Sequence, residues 1–71
     1  MMPLSMAQAG EKNYIKKVTG NDEVRQHLAN LGFVVGGCVT VVSKIAGGNM
    51  ILNIKDTRIA LSQSMTNRIM V

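Results

Sequence analysis

The residues that could carry out chemistry in this chain are few and poorly grouped. His27 is the only histidine, and the nearest carboxylates, Asp22 and Glu23, lie on the polar side of the same predicted helix. A zinc or iron site usually takes three or four protein ligands, and neither a second histidine nor a cysteine pair is present to complete one. We therefore predict no metal site, with direct iron sensing through His27 and the two carboxylates as the alternative.

The sequence also gives no support for nucleophilic catalysis or for a phosphate-binding loop. The serines have no base nearby except the one distant histidine. Cys38, the single cysteine, lies in an apolar segment, which predicts a buried and inert thiol in a reducing compartment. Gly47 and Gly48 are not followed by the lysine and hydroxyl residue of a phosphate loop, so they predict a hairpin turn. We expect no enzymatic activity and no cofactor.

The composition predicts one small domain with a solvated, basic surface. A chain of 71 residues, 46% of them hydrophobic, can form one core, and we assign a single domain to residues 1–71. The net charge is +4, but the basic residues are scattered rather than clustered. Tyr14 and Phe33 are the only aromatic residues, too few to stack bases or to wall a groove for proline-rich peptides. An acidic protein partner is favoured over nucleic acid.

One helix, over about 21–31, is the clearest element. Asn21 or Asp22 can cap its start, acidic residues occupy its first turn, and Gly32 stands where a left-handed C-terminal cap belongs. A stripe at helical spacing predicts the face that the helix buries. Its members are Val24, His27, Leu28 and Leu31.

The remainder of the chain predicts about five short strands. Residues 11–19 suit a strand with an irregularity near Tyr14, and 38–45 form a β-branched strand that leads into the glycine hairpin. Met50, Leu52 and Ile54 alternate with polar or exposed positions, as in a strand with one buried face. Residues 59–61 predict a return strand, 62–68 a helical turn and 69–71 a closing strand. The first ten residues predict only a lead-in, with one short turn capped by Ser5. The fold class is mainly β, a small barrel with one inserted helix.

No segment predicts export or membrane insertion. The first residues have no basic leader and no apolar run of signal-peptide length. The longest apolar stretch, 33–42, is about half the roughly 20 residues that a membrane helix needs. We therefore expect a cytoplasmic protein that is not embedded in a membrane.

Two motifs together resemble the ferrous iron transport protein A (FeoA) family. The first is the leucine, leucine-glycine and hydrophobic run from Leu28 to Phe33, and the second is Ile59-Ala60-Leu61 with the terminal Ile69 and Val71. With Val18-Thr19-Gly20 before the helix, the resemblance covers nearly the whole chain. The chain departs from the family at His27, where arginine is frequent, and at Val35, where proline is frequent and its absence loosens the turn.

The resemblance implies an SH3-like barrel and a small accessory protein without catalysis. Its implied partner is the membrane ferrous-iron permease that carries its own GTPase domain, although similar domains also occur on iron-dependent repressors. We predict that docking uses Phe33, Val34 and Val35, with Lys44 and Arg58 as a charged rim; the alternative is that Phe33 and one valine belong to the core. A nucleic-acid-binding barrel is a second hypothesis. Weak self-association through an open barrel edge is compatible with the first.

Overall fold

The fold, taken from a computed structural model that describes residues 1–71, contains six strands and two helices. In chain order these are β1 (Lys12–Tyr14), β2 (Lys17–Val18), α1 (Asp22–Asn30), β3 (Cys38–Lys44), β4 (Met50–Ile54), β5 (Thr57–Leu61), α2 (Gln63–Thr66) and β6 (Ile69–Met70). Short 3₁₀ turns lie at Leu4–Met6 and Ala46–Gly48. No helix is long and apolar enough to cross a bilayer; α1, the longest, has nine residues.

The strands form two antiparallel sheets that together make a barrel-like body. One sheet has the order β1-β3-β4-β5, and the other pairs β2 with β6. The predicted class, mainly β with an inserted helix, is confirmed, with six strands where about five were expected. The sheets do not join into a closed cylinder.

The predicted strand over residues 11–19 is split because the chain changes partners after β1. The Ile15 N–H donates to the Gly37 carbonyl beside β3, at 2.9 Å, and the next N–H, from Lys16, donates to Met70 in β6, at 2.8 Å. The irregularity expected near Tyr14 is therefore the point where the chain leaves one sheet for the other.

Helix α1 begins and ends at the predicted caps. The Asn21 side chain accepts a hydrogen bond from the Val24 N–H at 2.9 Å, which satisfies one donor of the first turn. At the other end Gly32 has φ 104°, and the Phe33 N–H donates back to the Leu28 carbonyl at 2.9 Å. Of the predicted stripe, Leu28 is buried and its apolar neighbours are half-buried, but His27 is exposed, so its place in the stripe was wrong.

The core lies between the inner face of the larger sheet, α1 and the chain termini. Alternation in β4 places Met50, Leu52 and Ile54 inside, as predicted, and Val39 and Val41 of β3 face them. Cys38 is half-buried on the outer face, opposite Tyr14, so the fully buried thiol expected from sequence is wrong.

The first ten residues belong to the core rather than forming a lead-in. Leu4 and Ala7 are both 0% exposed, and paired hydrogen bonds between Met2 and Val71 fix this segment beside β6. Pro3, not Ser5, precedes the short turn, and the Ser5 hydroxyl donates to Asn67. The predicted Ser5 cap is therefore wrong, and both ends of the chain help to complete the fold.

Replacing Leu4 with alanine should lower the free energy of unfolding by about 2–5 kcal/mol, because it removes a fully buried side chain and leaves a cavity. Met6→Ala is the matched control, since Met6 is 65% exposed two residues away and should change stability by no more than about 0.5 kcal/mol. Urea unfolding of both variants measures the difference. Equal and small effects would contradict the placement of Leu4 in the core.

Candidate docking groove

A groove runs between helix α1 and the loop that follows it. We call it the α1 groove; its volume is about 480 Å³. Its lining residues are Val18, Asp22, Arg25, Gln26, Ala29, Phe33, Val34 and Val35. Four of the lining residues lie on one face of α1, at the i, i+3, i+4, i+7 spacing: Asp22, Arg25, Gln26 and Ala29.

The far wall of the α1 groove is a tight turn from Val34 to Gly37. The Gly37 N–H donates to the Val34 carbonyl at 2.9 Å, and Gly36 has φ 87° at the third position of the turn. A positive φ at that position is the mark of a type II turn and explains the glycine there. At Gly37 a Cβ would lie 3.0 Å from the Val34 carbonyl oxygen, so the chain passes too close for a larger residue without a shift. The turn therefore holds Val34 and Val35 in fixed positions beside the helix.

The structure exposes the two valines and buries the phenylalanine of the predicted docking surface. Val34 is 44% exposed and Val35 is 67% exposed at the tip of the turn. Phe33 is only 1% exposed and forms part of the core. This burial fits the alternative that Phe33 belongs to the core, and its side chain lies at the floor of the groove. Docking through Val34 and Val35 stays a prediction.

The predicted charged rim, Lys44 and Arg58, is not part of the groove lining, and its part in docking stays a prediction. Lys44 ends β3 while the turn precedes its first residue, so the length of the strand, roughly 20 Å, separates them. Arg58 lies on β5, two strands from β3, or roughly 10 Å across the sheet. Neither residue lines the α1 groove. The charged groups at the groove are instead Asp22 and Arg25, which form an ion pair on the first turn of α1.

Sequence reasoning missed the helix side of the groove, although a signal for it was present. It assigned the apolar stripe of α1 to the core and treated the remaining face as solvated surface. That face carries Asp22, Arg25, Gln26 and Ala29 at helical spacing. Ala29 is the small residue that leaves room for a groove opposite a bulky turn, but its meaning depends on Val34 and Val35 lying across from it.

The residues of the iron-sensing hypothesis are divided between two places. His27 and Glu23 line a second, smaller recess of about 320 Å³ together with Val24 and Met65. Asp22 lies at the α1 groove, where it pairs with Arg25. No group of three or more histidine, cysteine, aspartate or glutamate side chains is positioned to share one metal ion.

Introducing proline at Val35 should raise the free energy of unfolding by about 0.4–1 kcal/mol. Val35 is the second residue of the type II turn, a position where such turns have φ of about −60° and proline is common, and its N–H makes no backbone hydrogen bond. Urea unfolding tests this expectation. The control is Val34→Pro, which removes the N–H that donates to the Gly32 carbonyl and should destabilise the chain. Equal losses in both variants would contradict the turn assignment.

A protein-family model and a relative of known sequence both match this chain along its length. The FeoA domain model matches residues 2–71. A protein of Methanocaldococcus jannaschii, described as "Putative Fe(2+) transport protein A", is 30% identical over 71 residues, which is 100% of this chain and 85% of that protein. The resemblance seen in the Leu28–Phe33 and Ile59–Leu61 motifs is thereby confirmed.

Solved structures agree with the fold. Stenotrophomonas maltophilia FeoA, crystallised as a complex with zinc and described as a prokaryotic SH3 domain protein, superposes with a TM-score of 0.83 at 29% identity, covering 99% of this chain and 88% of that one. Iron(II) transport protein A from Clostridium thermocellum superposes with a TM-score of 0.90 at 26% identity, covering 97% of this chain and 43% of that chain.

Proposed function

The chain belongs to the FeoA domain family, and we propose that it is an accessory protein of ferrous iron uptake. It docks on the cytoplasmic part of the membrane iron permease, the part that includes the GTPase domain. The family is one of ferrous iron transport proteins, as the M. jannaschii relative's name also states. The Stenotrophomonas protein has been put forward as a ferrous iron transport activating factor. Docking, rather than catalysis, is the activity proposed for this chain.

The exposed Val34-Val35 pair at the mouth of the α1 groove is the observation that carries the proposal. Single exposed apolar residues are ordinary, but two adjacent valines on a hydrogen-bonded turn beside a groove resemble the centre of a protein interface. Because the turn is fixed by its own hydrogen bond and by two glycines, a partner would not have to order it on binding. The groove offers apolar contact from Val18, Ala29 and the valines, with Asp22 and Arg25 at its polar edge.

Such docking can regulate transport only if the permease is bound unequally in two of its states. An accessory protein that favours one conformation or nucleotide state shifts the permease toward that state by the ratio of the two affinities. A tenfold ratio corresponds to about 1.4 kcal/mol, which is within reach of a single buried valine. The proposal therefore needs only a small difference in how the permease presents its surface to the turn.

Ferrous iron uptake in cells that lack this protein is the experiment that tests the proposal. The unaltered chain should restore uptake and Val34→Asp should not, with the permease held at equal abundance in all strains. Ile45→Asp is the matched control, since Ile45 is also 44% exposed but lies in the β3–β4 hairpin, and it should restore uptake fully. Uptake that is independent of this chain, or equally lost in both variants, would contradict the proposed surface.

A further inference from the structure

Strand β5 lies at the edge of the larger sheet with its outer side unpaired. The sheet order is β1-β3-β4-β5, and β5 pairs only with β4. No backbone hydrogen bond from any other part of the chain reaches residues 57–61. Natural sheets usually protect such an edge with a proline, a bulge, a covering loop or charged side chains, and β5 carries the charge of Arg58. β5 contains no proline, and its five pairs with β4 run without a register shift, unlike the bulge between β3 and β4.

Two residues of β5 direct their backbone groups away from the sheet. The hairpin between β4 and β5 has a two-residue turn, Lys55-Asp56, so Ile54 and Thr57 form its first pair. In this kind of hairpin that first pair exchanges both hydrogen bonds, and hydrogen-bonded and non-hydrogen-bonded pairs then alternate. Arg58 and Ala60 are therefore in non-hydrogen-bonded pairs, with their N–H and carbonyl groups at the open edge. Both residues are exposed.

The Arg58 side chain lies beside this edge and is hydrogen-bonded to a residue of β4. Its Nε–H donates to Asn53 Oδ1 at 3.2 Å, across the β4–β5 pair. The two terminal nitrogens have no salt-bridge or hydrogen-bond partner in the chain. Arginine presents these nitrogens as a planar fork that fits a carboxylate. A carboxylate on a strand next to β5 could reach the fork as a cross-strand neighbour.

Charge selects the kind of strand that could occupy the edge. Across the outer face the register aligns Lys12, Thr40, Asn53 and Arg58, a row with a cation at each end and no carboxylate. A second copy of this chain carries a net charge of +4 and would bring another unpaired Arg58 to the same edge. On the inner side, half-buried Ile59 offers apolar contact to the alternate positions of an added strand. The occupant that fits is an extended segment with carboxylates on one face and apolar residues on the other.

We propose that the open edge of β5 binds an extended acidic segment of a partner protein as an additional antiparallel strand, with Arg58 and Ala60 supplying the main-chain hydrogen bonds and the Arg58 guanidinium holding a carboxylate of that segment. This mode of recognition takes its affinity from backbone pairing and its specificity from alternate side chains. The site is separate from the α1 groove, and the inference does not depend on the function proposed above.

Binding of a capped peptide of alternating valine and glutamate, about six residues long as in an ordinary strand, tests the proposal. Amide resonances of Arg58 and Ala60 should shift on titration, and exchange of their N–H protons with solvent should slow. The same peptide with lysine in place of glutamate should bind at least about tenfold more weakly, the loss expected for one charge-assisted hydrogen-bonded pair. A peptide N-methylated at the positions that would pair with β5 should not bind.

Three variants separate the parts of the proposal. Ala60→Pro removes an N–H at the open edge without removing a bond to β4, and should abolish binding. Arg58→Gln should weaken glutamate-peptide binding about tenfold and remove the preference over the lysine peptide. Lys12→Gln removes the same charge at the opposite edge of the sheet and should leave binding unchanged. Peptide shifts confined to residues outside β5, unchanged binding by Ala60→Pro, or a mass that rises with concentration through pairing of β5 with a second copy would overturn the proposal.

Discussion

Val34→Asp is expected to weaken binding of the permease's GTPase portion by about tenfold or more, because burying a valine contributes roughly 1.5 kcal/mol and a carboxylate would instead have to be desolvated. Val34 is 44% exposed and lies on a turn rather than in the core, so the fold should survive the change. Isothermal titration calorimetry measures the loss of affinity, and urea unfolding measures whether stability is retained.

Ile45→Asp provides the matched comparison for that result. It introduces the same charge at a residue with the same exposed fraction, 44%, at the far end of β3. Its affinity should remain within about twofold of the unaltered chain, which corresponds to about 0.4 kcal/mol. If both variants lost affinity equally, the effect would come from net charge and not from contact at the α1 groove.

Phe33→Ala is expected to lower the free energy of unfolding by about 3–5 kcal/mol, the usual result of truncating a buried aromatic side chain. A chain of 71 residues has a total stability of roughly 4–10 kcal/mol, so a large share would be lost. Phe33 is 1% exposed and joins the floor of the α1 groove to the core. The change should therefore alter the Val34–Gly37 turn only through a general loss of stability of the fold.

Tyr14→Ala tests whether that loss reflects burial rather than the removal of any aromatic ring. Tyr14 is the other aromatic residue and is 58% exposed on the outer face of β1. Its truncation should change stability by about 0.5 kcal/mol or less. Chemical unfolding followed by far-UV circular dichroism compares the two. A Phe33→Ala protein as stable as the unaltered chain, with only its partner affinity reduced, would show that Phe33 belongs to the docking surface after all.

The sequence predicted those elements that depend on interactions between residues close together in the chain. Asn21 and Gly32 mark the ends of α1 because a side-chain cap and a positive φ act within one turn of the residue itself. The alternation of Met50, Leu52 and Ile54 predicted the buried face of β4 because strand side chains point in opposite directions at successive residues. These are the features that a single sequence carries without knowledge of its neighbours in space.

Features that depend on distant pairing could not be read in the same way. The burial of Leu4 follows from hydrogen bonds between Met2 and Val71 at opposite ends of the chain. The division of β1 from β2 follows from a change of partner between Gly37 and Met70. Neither pairing leaves a periodic trace in so short a segment, so residues 1–10 were interpreted as a lead-in and residues 11–19 as one strand.

In the candidate site, too, some features were predicted from the sequence and others depend on residues that are distant in the chain. The turn after α1 was predicted as the contact surface from its apolar residues, and Val34 and Val35 are exposed there, although their contact with a partner stays a prediction. Lys44 was grouped with them on charge alone, although the length of β3 separates it from the turn. The helix wall of the groove was missed because its residues acquire meaning only when the turn packs across from Ala29.

Docking through the α1 groove can be tested by amide NMR. The isotope-labelled protein is titrated with the soluble GTPase portion of its cognate iron permease, in each nucleotide state and at two salt concentrations. We expect shifts that are contiguous over the Val34–Gly37 turn and the facing side of α1, with an affinity that differs between nucleotide states. Absence of shifts in every state, or shifts that leave the α1 groove untouched, would contradict docking on the GTPase portion through this surface.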